Sequence, residues 1–76
     1  MRIEILGTGC KKCTKLEENA KKAVESAGID AVVVKVDDMK SIMQYGVMST
    51  PSLVIDREVK STGKVLSPEE IEKLIK

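Results

Sequence analysis

The two cysteines of this chain, Cys10 and Cys13, are separated by two residues and lie between an apolar run and a helical pattern. This arrangement favours a strand-turn-helix unit that presents the thiols at the start of a helix. A disulfide across so short a loop would stabilise the fold little, because that effect grows with loop length. The pair is therefore interpreted as a chemical site, either redox-active or metal-binding.

The first half of the chain predicts a strand, a helix and a second strand. The apolar run Arg2–Leu6 predicts a buried strand, and Gly7 and Gly9 allow the sharp turn that follows it. Apolar and small residues recur at helical spacing in Lys11–Ala27, which predicts a helix. The β-branched run Ile29–Val36 predicts a strand covered on both faces. A strand, a helix and a strand in succession indicate a parallel crossover.

The second half predicts a helix, a hairpin and a closing helix. A short helix is expected over Met39–Tyr45, followed by an antiparallel hairpin of Ser52–Ile55 and a stretch from Glu58 towards Val65. Ser67–Glu70 has the pattern of a capping box and begins the last helix. The complete order is βαβαββα, which we interpret as a single domain spanning residues 1–76.

The charges and the apolar runs exclude several classes of partner. The 13 Lys and Arg residues and the 12 Asp and Glu residues are interspersed, so no basic tail predicts nucleic acid or an anionic membrane as a partner. The N-terminus turns polar too early for a signal peptide, and no apolar stretch approaches the length of a membrane span. We expect a cytoplasmic monomer.

Segments outside the cysteine pair are similar to thioredoxins. Tyr45–Leu53 is similar to the thioredoxin segment that ends a helix with Tyr-Gly and carries a cis-proline before the third core strand. Val65–Ser67 and the closing helix also match. The chain thus resembles the small prokaryotic thioredoxin- and glutaredoxin-like redox-active disulfide proteins. This resemblance implies an α/β, minimal thioredoxin-like fold with a four-stranded mixed sheet and three helices.

The resemblance and the position of the cysteines together assign two roles. Cys10, at the start of the helix, is expected to be the attacking thiolate, and Cys13 is expected to be the resolving thiol. The Cys10–Cys13 disulfide would be the redox group, with no other cofactor and no metal. Lys11 and Lys12 replace the Gly-Pro of thioredoxins and should modulate the thiolate, so thioredoxin's potential cannot be transferred to this chain.

The same resemblance implies residues that contact the substrate. Thr50, before the cis-proline Pro51, would offer its backbone to the substrate chain, and Met48 would line an apolar surface near Pro51. Glu4 stands six residues before Cys10, where thioredoxins keep a buried Asp. Glu4 is therefore a candidate proton acceptor for Cys13, the alternative being a charge that reaches water or a lysine.

We expect a thiol-disulfide oxidoreductase that reduces or exchanges protein disulfides through a mixed disulfide, as a reductase or electron carrier of the thioredoxin-glutaredoxin type. Its partners would be protein disulfides and a reductase similar to thioredoxin reductase. The alternative is a soft-metal carrier that binds Cu(I), because the loop from Gly7 to Cys13 looks like that of heavy-metal-associated domains. Those domains have the order βαββαβ and end in a strand.

Overall fold

The computed structural model describes residues 1–7, 11–47 and 49–75. In chain order the elements are β1 (Arg2–Leu6), α1 (Lys11–Ala27), β2 (Val32–Val36), α2 (Met39–Gln44), β3 (Ser52–Ile55), β4 (Glu58–Thr62) and α3 (Pro68–Ile75). The predicted fold class is confirmed: the described part of the chain forms a four-stranded mixed sheet and three helices in the order βαβαββα. The last described element is a helix, as expected for the thioredoxin-like fold, whereas the heavy-metal-associated domains end in a strand.

The sheet has the strand order β2-β1-β3-β4, which places β1 and β3 inside and the other two strands at the edges. β1 runs parallel to β2 and antiparallel to β3. The hairpin between β3 and β4 turns at Asp56 and Arg57, with φ of 49° and 69°. Left-handed backbone at both turn residues matches the right-handed twist of paired strands, which accounts for the tight connection.

Side-chain alternation along the inner strands divides the core between the two faces of the sheet. Ile3 and Ile5 pack with the buried faces of α1 and α3, whereas Leu6 packs with Ile42 of α2. The larger cluster contains Ile3, Ile5, Leu16, Ala20, Ala23, Leu53, Ile55, Ile71 and Ile75. Within the described residues, no helix is long and apolar enough to cross a membrane.

The interpretation of the valine run as a strand covered on both faces is wrong. The strand begins at Val32 and not at Ile29, and Val32 is 60% exposed. β2 is an edge strand that pairs only with β1 among the described strands, so its residues are only partly covered. The β-branched composition therefore predicts that the segment is a strand, but it does not predict whether the strand lies at the edge or the centre of the sheet.

The predicted capping box at the start of α3 is present. The Glu70 backbone N–H donates to Ser67 Oγ at 3.2 Å, and the Ser67 N–H donates to Glu70 Oε1 at 3.2 Å. These two bonds satisfy amides that the first turn of a helix leaves without a partner. The cap defines where the closing helix begins, and Ile71 and Ile75 then pack this helix into the core cluster that also contains the buried face of α1.

Replacing Ser67 with alanine should lower the free energy of unfolding by about 1 kcal/mol, because the Glu70 amide loses its acceptor. Urea unfolding followed by far-UV circular dichroism measures this difference. Ser26→Ala, at an exposed position near the end of α1, is the matched control and should change stability by less than about 0.5 kcal/mol. Equal effects of the two substitutions would show that the cap contributes nothing.

Candidate functional site

Cys13 is the third residue of α1 and is 2% exposed, on the helix face that packs against the sheet. Lys11 and Lys12, which precede it, are both exposed. Cys13 is disulfide-bonded in this structure. Cys10, predicted to be the attacking thiolate, lies outside the described residues. The described part of the site is thus a buried sulfur beneath an exposed, basic first turn.

The first turn of α1 contains no acidic residue. Within the described ranges, Lys11 and Lys12 form no ion pair. A helix N-terminus carries a partial positive charge, so unpaired lysines there add positive potential that no carboxylate of the first turn offsets. This positive potential favours anionic groups, including a thiolate, at the N-terminus of α1.

The Thr50–Pro51 peptide bond is cis, with Thr50 exposed and Pro51 buried. The Gly63 N–H donates to the Pro51 carbonyl at 2.8 Å, which ties this segment to the end of β4. Ser52 Oγ donates to the Ser49 carbonyl at 2.6 Å and closes the turn from within. Met48, predicted to line the substrate surface, lies outside the described residues.

Gly63 and the two serines are the residues of this segment that the sequence did not single out. Ser52 is fully buried in β3, where its hydroxyl has a backbone partner on its own side of the turn. A serine at the start of an otherwise apolar strand is a signal in the sequence, because its side chain can form a hydrogen bond with the backbone of the loop that precedes the strand. The contact between Gly63 and Pro51 spans two elements and leaves no such local signal.

Glu4 lies on inner strand β1, where it is 7% exposed, and it stands opposite Val54 on the face covered by α2. Tyr45 donates its hydroxyl to Glu4 Oε2, and Arg2 Nε lies 3.5 Å from Glu4 Oε1. Among the described residues, the side-chain partners of the Glu4 carboxylate are thus a tyrosine and an arginine, and the carboxylate is largely buried. The structure brings Glu4 to Tyr45 and Arg2, and its role as proton acceptor for Cys13 stays a prediction.

Tyr45 ends α2 and is held by this buried carboxylate. The hydrogen bond to Glu4, then burial and the negative charge of Glu4, raise the pKa of Tyr45 above its ordinary value of 10.0. The positive charges of Arg57 and Arg2 oppose this shift. The open pocket beside the pair is lined by Arg2, Glu4, Ser41, Gln44, Tyr45 and Arg57.

The raised pKa of Tyr45 predicts a pH dependence of stability. The folded state favours the protonated phenol of Tyr45. The contribution of this group to the free energy of unfolding is therefore complete below pH 10.0, and it is lost as the pH rises through the higher pKa of the folded state. Tyr45→Phe should lower the free energy of unfolding by about 1 to 3 kcal/mol at neutral pH, since the buried Glu4 loses a donor.

Urea unfolding at a series of pH values from about 7 to 11, a range that includes the ordinary tyrosine pKa of 10.0, measures the free energy of unfolding of both chains. The difference between the native chain and Tyr45→Phe should shrink as the pH rises above 10.0. In a Glu4→Gln background the pH-dependent part of that difference should be smaller, because the charged acceptor is gone. Parallel stability curves for the native chain and Tyr45→Phe would contradict the role given to this bond.

The described residues contain no group of three or more His, Cys, Asp or Glu side chains arranged to hold a metal ion. A two-thiolate Cu(I) site would include Cys10 and so falls outside this observation. The described geometry consists of a buried cysteine on α1, the Pro51 segment and, on the other face of the sheet, the Glu4–Tyr45 pair.

The family model for the thioredoxin domain matches residues 1–76. The thioredoxin of Methanothermobacter thermautotrophicus (strain Delta H) is 45% identical over 75 residues, which cover 99% of this chain and 97% of that protein. The thioredoxin of Methanocaldococcus jannaschii is 47% identical over 74 residues, covering 97% of this chain and 85% of that protein. The chain therefore belongs to the thioredoxin family, a family of thiol-disulfide oxidoreductases. The predicted resemblance is confirmed.

Proposed function

We propose that the chain reduces protein disulfides through a mixed-disulfide intermediate. The Cys10 thiolate attacks one sulfur of the substrate disulfide, forms the mixed disulfide and releases the other substrate sulfur as a thiolate. The Cys13 thiolate then attacks the Cys10 sulfur, which forms the Cys10–Cys13 bond and releases the second substrate thiolate. Two electrons pass to the substrate, and the reverse sequence would oxidise a dithiol.

The burial of Cys13 is the observation that carries this proposal. At 2% exposure on the inner face of α1, the Cys13 sulfur is shielded from a protein substrate, whereas the preceding Lys11 and Lys12 are exposed. A shielded sulfur suits the second step, in which the target is an atom of the same chain. The first attack then falls to Cys10, the other cysteine of the chain.

We assign substrate positioning to the segment around Pro51. Thr50 is exposed and precedes a buried proline that is tied to Gly63, so its backbone is held at a fixed place on the surface. An extended substrate segment could pair with the Thr50 backbone as a short strand, which gives affinity independent of the substrate sequence. Met48 would contribute apolar contacts to the substrate.

The chain would need no bound cofactor beyond the Cys10–Cys13 pair. A reductase of the thioredoxin-reductase type would regenerate the dithiol, and the chain would act as a monomer in the cytoplasm, where thiols are kept reduced.

If Glu4 accepts the proton of Cys13, Glu4→Gln should slow the resolving step and leave the first attack unchanged. An unchanged rate for both steps would assign Glu4 to the structural bond with Tyr45.

The test is the reduction of insulin disulfides with dithiothreitol as the terminal reductant. The native chain should accelerate the reaction well above dithiothreitol alone, and Cys10→Ser should not. A native chain that retains Cu(I) against a strong chelator and leaves the insulin rate at background would favour the metal-carrier alternative.

A further inference from the structure

Gly7 is buried at the end of β1, directly before the residues that lead to Cys10. Its backbone N–H donates to the Val36 carbonyl at 2.9 Å, which extends the pairing of β1 with β2 by one residue. By strand alternation, a side chain at position 7 would point to the same face as Ile3 and Ile5. That face is covered by α1, the helix that carries Cys13.

The space beside Gly7 is filled by Cys13. A Cβ atom built on Gly7 would overlap Cys13 Sγ and would lie 2.9 Å from Cys13 Cβ. The overlap with Cβ matters because this atom is fixed by the backbone of α1 and cannot rotate away. An added methyl group would therefore displace the sulfur and the start of the helix together.

The other described glycines are required for a different reason. Gly28, Gly46 and Gly63 have φ of 66°, 71° and 67°, a region that favours glycine, and Gly7 does not share that conformation. A Cβ at Gly28 or at Gly46 would meet no atom within 4 Å. Gly7 is thus set apart by the space that the Cys13 side chain occupies, and not by the turn that the sequence suggested for it.

We propose that Gly7 is a positioning residue for the resolving thiol, giving the Cys13 sulfur the place from which it reacts with Cys10. This inference rests on the proposed function. In the disulfide form the Cys13 sulfur is fixed in place, whereas in the dithiol form the side chain can rotate. A methyl group at position 7 therefore raises the free energy of the disulfide form more than that of the dithiol form.

The experiment compares Gly7→Ala with Gly28→Ala at equilibrium with dithiothreitol. Dithiothreitol is oxidised to its cyclic disulfide as the protein disulfide becomes two thiols, and alkylation followed by mass spectrometry counts both forms. For Gly7→Ala we expect a shift of about tenfold or more towards the dithiol, which is about 30 mV for this two-electron couple. Gly28→Ala should destabilise the fold through its positive φ and leave the equilibrium constant within about twofold of the native value.

An unchanged equilibrium constant in Gly7→Ala, or equal shifts in both variants, would overturn the proposal. The step in which Cys13 resolves the mixed disulfide gives an independent readout. Gly7→Ala should accumulate more mixed disulfide with a substrate than Gly28→Ala does. A native chain without a dithiothreitol-dependent transition would instead refute the proposed function. The two failures are therefore distinguishable.

A third measurement covers the case in which Gly7→Ala does not fold. In a Cys13→Ala background the sulfur is absent, so the loss of stability caused by Gly7→Ala should be clearly smaller than in the native background. Recovery of folding in the double variant would support the contact between Gly7 and the sulfur. Equal losses in both backgrounds, or a double variant that is also unfolded, would show that the fixed Cβ of residue 13, and not the sulfur, is what conflicts with a side chain at position 7, and would overturn the proposal.

Discussion

Replacing Cys10 with serine should reduce the insulin-reducing activity to the rate of dithiothreitol alone. A serine hydroxyl stays protonated at neutral pH and cannot take part in thiol-disulfide exchange, so no mixed disulfide forms. The measurement is the rate of insulin precipitation as its chains separate, with circular dichroism to show that the variant is folded. The effect is the largest that we expect for any substitution, because it removes the first chemical step.

Cys13→Ser is the matched control, since it removes the second step alone. This variant should attack the substrate once and remain attached to it, so a mixed disulfide of Cys10 should accumulate on non-reducing gels. The exposed basic turn and the buried Cys13 sulfur both predict this asymmetry. Trapping by Cys10→Ser in place of Cys13→Ser would reverse the assigned roles, and full activity of Cys10→Ser would refute them.

Leu16→Ala should cause a larger loss of stability than Ser67→Ala or Tyr45→Phe. Leu16 is fully buried, one turn after Cys13 on α1, and belongs to the core cluster that joins this helix to β1 and β3. Truncating a buried leucine costs about 2 to 5 kcal/mol, a large part of the roughly 5 to 15 kcal/mol that folds a typical domain. Urea unfolding measures the change.

Met43→Ala is the control for Leu16→Ala, because Met43 is 70% exposed on α2. Its effect should lie within about 0.5 kcal/mol. The activity of Leu16→Ala should fall with the folded fraction, and it should recover at lower temperature or in a stabilising co-solvent such as sucrose. A stable but inactive Leu16→Ala variant would contradict the view that Leu16 acts only by holding α1 on the sheet.

The sequence predicted the order of the elements because each carries its own local signal. The helical spacing of small and apolar residues defined α1, and the capping box at Ser67 defined the start of α3. The place of β2 at the edge of the sheet has no local signal, since it follows from how β1 and β3 pair. A run of valines is compatible with an edge or a central strand, which explains the wrong prediction of burial on both faces.

The partners of Glu4 illustrate a second limit of sequence reasoning. The spacing of Glu4 to Cys10 suggested a role near the thiols, whereas strand alternation turns its side chain to the face that α2 covers. Its partner Tyr45 is 41 residues away in the chain, so no local pattern links the two. The alternation of Glu4 with Ile3 and Ile5 is the signal from which opposite faces for the carboxylate and the core isoleucines could have been inferred.

We expect Lys11 and Lys12 to affect how strongly this chain would act as a reductant. Positive charge beside a thiolate stabilises the dithiol form, and a more stable dithiol makes the couple more oxidising. Because both lysines are exposed, their effect is screened and should weaken as the salt concentration rises.

The most direct test of the central claim is a redox titration of the native chain against ratios of reduced to oxidised dithiothreitol. We expect one transition that involves two electrons, links Cys10 with Cys13 within one molecule, and is absent from both Cys10→Ser and Cys13→Ser. A chain that stays a dithiol at every ratio, or a transition that survives in either serine variant, would contradict it.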